Sequence, residues 1–424
     1  MPEMMNESRS DSKISATIVQ LSQGEVPQSE EVLDDISVGI QFITDFWRER
    51  YFREFIKLGG SKIKFITGQR GSGKTHTLHL ATGIAKKEGY VTVSFSAKDI
   101  WLNDFREVYL EILSQCNIVE LLQQCSHSIV SSMGFSWQDI PSGMTFLDLL
   151  GQNGLADALT RREIRLQLKQ MFLDNPLLDN NFALACSLIC GGILGHPFLE
   201  EQNKDLLLAW LNGDKKIRVS ILRPLGMAPS KITKYNARNM LRSLAEIVRL
   251  SGYSGLFITI DNLEVLLDSS GMNPMHYTKM KREDTYESIR QLIDDIDNFR
   301  NIMFVFGFNR DLMDNENAGF KSYQALWMRI QNEVVANRIN KFNDIVDLDQ
   351  IASQEYTPSL LVEMSRRLAK VVNHINLQAS VLDEEKASQL IKQAKIGSVS
   401  LLRLVSQATL GFPINPVQEA SDDL

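Results

Sequence analysis

Short apolar runs alternate with longer amphipathic stretches through most of the chain. The runs fall at 63–67, 91–95, 256–261, 302–309 and 344–348 and are rich in Ile, Val and Phe. Runs of this length and composition predict strands, and their apolarity predicts burial on both faces of a sheet. Between them, apolar residues recur three and four positions apart over 36–57, 76–88, 104–114, 236–251, 286–299 and 320–339, and again within 358–410. That spacing predicts helices. Gly59-Gly60, Gly89 and Gly252 stand where three of them should stop. The stretch 268–284 is polar and mixed, and a loop is expected there. From 117 to 232 no strand pattern of comparable strength appears. Helical runs at 118–133, 155–172, 177–194 and 205–211 are punctuated by Pro and Gly at 141–143, 174–176 and 224–229, which predicts an all-helical insertion. The expected fold is therefore α/β: a five-stranded parallel sheet flanked by helices, interrupted by helices and followed by more of them. In such sheets a ligand sits at the carboxyl ends of the strands.

The sequence at the end of the first strand supplies the chemistry. Gly68-Gln69-Arg70-Gly71-Ser72-Gly73-Lys74-Thr75 fits the phosphate-binding loop G-x-x-x-x-G-K-[ST], and it lies between a predicted strand and a predicted helix, as that loop requires. Its glycines let successive N–H groups turn toward a phosphate. Lys74 is expected to reach the β and γ phosphates of ATP, and the Thr75 hydroxyl to hold Mg²⁺. The helix beginning at His76 adds the positive end of its dipole.

The third run, Leu256-Phe257-Ile258-Thr259-Ile260-Asp261, ends in an acid at the position where a carboxylate holds Mg²⁺ through water. Hydrolysis also needs a group that orients the attacking water. A glutamate commonly follows the metal-binding aspartate directly, but Asn262 stands there and the next acid is Glu264. Glu264 is either that group in a displaced position or a loop carboxylate. Asn309 ends the fourth run and either senses the γ phosphate or starts a turn. Arg329 and Arg338 precede the last strand. Either is a candidate finger for a neighbouring subunit's phosphate, or a surface arginine. Arg403 opens the last helix and is placed to contact nucleotide. The helix over 36–57 either packs beside the adenine base or covers a sheet edge.

Charge and cysteine content narrow the class without choosing a partner. The chain of 424 residues has a formal net charge of −7, so no global pull toward nucleic acid operates. Basic groups at 279–282 and 366–370 read as solvated faces. Cys116, Cys125, Cys186 and Cys190 form no C-x-x-C pair and are expected to pack as small hydrophobes in a reduced, cytoplasmic protein. The N-terminus lacks a signal region. The most apolar run, 182–199, is broken by Gly191, Gly192, Gly195 and Pro197 and reads as core, not as a membrane span.

In order, Gly68–Thr75, Asp261, Asn309, the Arg329/Arg338 helix and Arg403 resemble the Walker A, Walker B, sensor 1, arginine-finger and sensor 2 elements of AAA+ ATPases. The resemblance implies sheet order 5-1-4-3-2 and a helical lid. Segment 1–31, rich in Ser, Glu and Gln, is expected to be flexible, and the expected division is a nucleotide-binding domain split into 32–116 and 233–350 around the insertion 117–232, a lid at 351–412 and a tail at 413–424. A narrower likeness rests on Val38-Gly39, Gly59-Gly60-Ser61, Trp210-Leu211-Asn212-Gly213-Asp214, Gly252-Tyr253-Ser254-Gly255-Leu256, Asp261-Asn262-Leu263-Glu264 and Ser322-Tyr323-Gln324-Ala325-Leu326. These are similar to the ATP-binding proteins of BREX phage-defence systems, whose pattern usually has Glu where Asn262 stands. The likeness implies an antiviral role beside helicase, methyltransferase or phosphatase-like components, acting on DNA or on partner proteins. A finger given in trans further implies a homo-oligomer. Two alternatives stand beside this oligomerising ATPase. One is a nucleotide-dependent switch or scaffold with little turnover, which Asn262 favours. The other is an origin-recognition-like DNA loader, a class that usually carries a winged-helix domain after the lid, for which little chain remains beyond Gly411.

Overall fold

The computed structural model describes residues 30–270, 273–334, 339–373, 379–396 and 399–411. Segment 1–29, the tail from 412 and Arg338 lie outside the described residues. Five strands form one sheet: β1 (Ser61–Gly68), β2 (Tyr90–Ser96), β3 (Gly255–Asp261), β4 (Ile302–Asn309) and β5 (Ile345–Asp347). Their order is β2-β3-β4-β1-β5 and every pairing is parallel. This is the expected 5-1-4-3-2 order read from the other edge.

The apolar runs explain the burial. All of β4 from Ile302 to Phe308 is buried, and its side chains alternate between two cores. Phe304, Phe306 and Phe308 join one core, where the Phe65 and Phe306 rings stack at 5.6 Å and Phe308 meets Phe320 edge-on at 5.1 Å. Met303 and Val305 join the other, with Trp47, Phe52 and Phe257. Lys64, fully buried within β1, is satisfied by the carbonyls of Phe342 (2.8 Å) and Asn343 (2.5 Å).

From Ile118 to Leu225 the described chain forms helices only, and their apolar faces continue the first core. The four cysteines are buried and free, and burial pushes the Cys116 thiol up to about 12. They therefore pack as small apolar side chains. No helix among the described residues is long and apolar enough to cross a membrane.

Three local expectations need correction. The helix expected over 36–57 is broken. Glu30–Ile36 and Gln41–Phe46 are helical, a π-helical stretch runs over Trp47–Ile56, and Ser37 to Ile40 interrupt them. Gly39 adopts φ +84° there, and a Cβ on it would lie 2.0 Å from the Tyr356 ring. The loop expected over 268–284 ends early, because the helix Lys279–Asp294 starts at a Thr278 cap that accepts from Lys281 N–H. Its first turns face solvent and carry no apolar period to read. A helix at Phe146–Gln152 was not foreseen, although its capping box, Thr145 with Asp148, is legible as T-x-x-D.

Candidate functional site

The register of the sheet gathers the site. β1 pairs with β4 so that Gly68 lies opposite Asn309, and β2 pairs with β3 so that Ser96 lies opposite Asp261. Four strand ends thus deliver their terminal residues to one edge. The phosphate loop leaves β1 there and enters the helix Lys74–Lys87. Gly71 and Gly73 hold φ +83° and +92°, which only glycine adopts without strain.

Within the loop, Lys74 is buried and its Nζ donates to the carbonyls of Gly68 (3.1 Å) and Gln69 (2.9 Å). Burial lowers its pKa, opposed by the negative charge of Glu264 and then Asp261. Thr75 Oγ1 donates to Asp261 Oδ2 at 2.6 Å. These two expected metal-binding residues are 186 positions apart in sequence and in direct contact. The pair supplies a hydroxyl and a carboxylate, a hard-oxygen donor set that suits Mg²⁺. The Ser72 hydroxyl, inside the same loop, is buried without a hydrogen-bond partner among the described residues. A buried polar atom left open at the cradle fits a phosphate group.

Glu264 is drawn into the site by the local backbone. Asn262 takes the left-handed conformation (φ 60°), its N–H bonds Asp261 Oδ1 at 2.7 Å, and its amide turns away to Ser96 Oγ at 3.1 Å. A short 3₁₀ turn, Leu263–Leu267, follows. It carries the Glu264 carboxylate to the Asn309 N–H, 3.2 Å from Oε2. Burial raises the Glu264 pKa, opposed by its own backbone hydrogen bond and by Lys74. A carboxyl group held near a buried ammonium and the metal-binding pair is suited to take or position a proton.

The remaining expected residues divide. Arg403 packs over the loop: its Cβ and Cδ lie 3.1 Å from where a Cβ on Gly71 would sit. Arg70 is exposed. His76 turns its Nε2 to Ser37 Oγ at 2.7 Å. Because Ser37 Oγ–H is spent on Leu33 O, His76 Nε2 is the donor in that bond. Arg329 is held by Asp294 through two bonds of 3.0 Å on an outer helix.

Three site residues were not foreseen. Asp349 Oδ2 accepts the Gln69 N–H at 2.7 Å and so ties the phosphate loop to the chain after β5. Arg310, next to Asn309, bridges Asp347 (3.1 Å) and approaches Asp349 (3.9 Å). Two acids at a strand end, Asp347-Leu348-Asp349, were the available signal. Gly307 is the third. A Cβ there would stand 2.6 Å from Asp261 Oδ1, so the fourth strand must lack a side chain for the aspartate to fit. Nothing in its own neighbourhood of sequence marks it.

Neither a curated protein nor a solved structure matches the chain. The family model for the BREX system ATP-binding protein BrxC/D matches residues 10–400, which include every residue of the site described above except Arg403. With nearly the whole length matched and a phosphate loop joined to its acid at one sheet edge, the chain belongs to the BREX system ATP-binding protein family.

Proposed function

We propose that the chain is an AAA+-type ATPase that binds Mg²⁺-ATP at the carboxyl edge of the sheet and works in phage defence on DNA or partner proteins. The 2.6 Å contact between Thr75 and Asp261 carries this reading. In a phosphate-loop site these residues share one metal, and the ion neutralises charge developing on the phosphates. Lys74 binds the β and γ phosphates, leaving its two loop carbonyls as it does so. Glu264 orients the attacking water and accepts its proton. Asn309 holds Glu264 through its backbone N–H. Arg403, over the loop, senses the nucleotide from the C-terminal helices.

A finger in trans makes the working form a homo-oligomer. Arg329 is committed to Asp294 within its own chain, which favours Arg338 for that role. The test is phosphate release and ATP-analogue binding by wild type and Glu264→Gln. The variant should bind as wild type does and turn over about a hundredfold more slowly. Undiminished release would remove Glu264 from the mechanism.

One observation favours a second reading, a nucleotide-dependent switch with little turnover. Asn262 occupies the place of the usual glutamate and points at Ser96, away from the loop. Release at buffer background by wild type, with tight ATP binding, would select it.

A further inference from the structure

One surface of this acidic chain has the opposite charge. Residues 215–245 contain eight Lys and Arg and no Asp or Glu, within a protein of net charge −7. Lys215, Lys216, Arg218, Arg223, Lys231 and Lys234 are all exposed. Among the described residues Lys216, Arg218, Arg223 and Lys234 pair with no carboxylate, and Lys215 meets only Glu107, at 3.8 Å.

The fold joins the loop that carries Lys215 and Lys216 to the loop that carries Lys231 and Lys234. Arg106, 8% exposed in the first turn of the helix Phe105–Cys116, donates to Ile232 O (3.0 Å) and to Gly213 O (2.6 Å), so one guanidinium pins two separate loops. Trp210 Nε1 ties the same loops through Ser230 O at 3.0 Å. Lys231 Nζ then reaches Lys215 O, also at 3.0 Å. At the rim of these loops Tyr235 is 85% exposed, with Lys234 over its ring at 5.4 Å.

We propose that this two-loop surface binds the phosphate backbone of single-stranded nucleic acid, with Tyr235 stacked on an unpaired base. Closely set cations release counterions from a polyphosphate, and an exposed aromatic among them offers a base its face. An acidic protein partner fits less well, because lysine is depleted at protein interfaces and four of these six cations are lysines. The inference deepens the DNA part of the proposed function and needs no nucleotide.

The test is fluorescence anisotropy of the full chain, without ATP, on a mixed-sequence single-stranded DNA of about 30 nucleotides. With four to five phosphates neutralised, log affinity should fall with log salt at a slope of roughly 3. Lys215→Glu/Lys216→Glu/Lys231→Glu/Lys234→Glu should bind at least about tenfold more weakly and keep wild-type thermal unfolding and ATP-analogue binding. The corresponding Lys→Gln set serves if the reversals do not fold. Tyr235→Ala should lose roughly fivefold or more on the single strand and little on a duplex of equal length. Lys74→Ala should still bind DNA, which separates this proposal from the nucleotide reading. Absent wild-type binding, or equal binding by the charge variants, would overturn the surface. Competition by polyglutamate as effective as by DNA would assign it to an acidic protein instead. Equal effects of Tyr235→Ala on both DNA forms would overturn the stacking.

Discussion

The two ends of the same sheet treat buried polar groups differently. At the amino end, Asn301 precedes β4 in the left-handed conformation (φ 55°) and is almost fully buried. Its amide donates to Ile56 O (2.7 Å) and Lys57 O (3.1 Å), its N–H to Gly60 O, and its carbonyl accepts from Leu256 N–H. These four bonds are all closed by backbone groups of the fold itself. At the carboxyl end, Lys74, Thr75, Asp261 and Glu264 are closed by one another, by the phosphate loop and by the strand-end N–H groups of Asn262 and Asn309. Partners of that kind can be exchanged for a ligand's. The lesson is that satisfaction alone does not distinguish structure from site; what matters is whether the partner is replaceable.

The sharpest break of this contrast is Lys74→Ala. Removing one side of a buried charged contact to phosphate should weaken ATP binding by on the order of a hundredfold or more, measured by calorimetry, while thermal unfolding changes little. Binding within a few-fold of wild type would mean the loop does not hold the phosphates. Asn301→Ala probes the other end. Losing the amide that donates to Ile56 O and Lys57 O, with Ile56 O keeping only Gly59 N–H, should cost about 1–3 kcal/mol in denaturant unfolding and leave nucleotide affinity intact. A variant with normal stability and poor ATP binding would erase the distinction between the ends.

A group of the carboxyl end that is closed like one of the amino end comes next. Burial, and then the neighbouring His79, lower the His76 pKa to about 4 from 6.5. The unfolded chain therefore takes up the proton first as pH falls. Stability from this group is full above pH 6.5 and is lost as pH drops toward 4, by roughly 3 kcal/mol. His76→Gln should flatten the stability profile across that window, and a profile unchanged by the substitution would place the loss elsewhere. The smallest effect is expected at Gly307. A methyl group there must displace Asp261 or Leu78, so Gly307→Ala should raise the Mg²⁺ concentration needed for ATP binding by about tenfold. An unaltered metal requirement would show that Asp261 moves freely.

Much of this was readable before folding. The strand, glycine loop and helix at 61–87 are encoded by near neighbours, so the pattern located them within two residues. Asp261 and Asn309 were legible for the same reason, as polar residues ending apolar runs. The helix break at Ser37 to Ile40 was not; at Gly39 within it, a ring more than three hundred positions away, Tyr356, leaves no room for a Cβ. Arg329 illustrates the converse: its type suited a finger, yet Asp294 on another helix holds it.

By itself, then, the sequence determined the strands, the phosphate loop and the acid that answers it, since each is written in the local alternation of apolar, glycine and polar residues. Only the tertiary structure decided that Asp349 clamps the loop, that Gly307 makes room for Asp261, and that a buried arginine gathers two basic loops into one surface. Those choices depend on strand order, register and loop packing, which join residues that no period in the sequence connects.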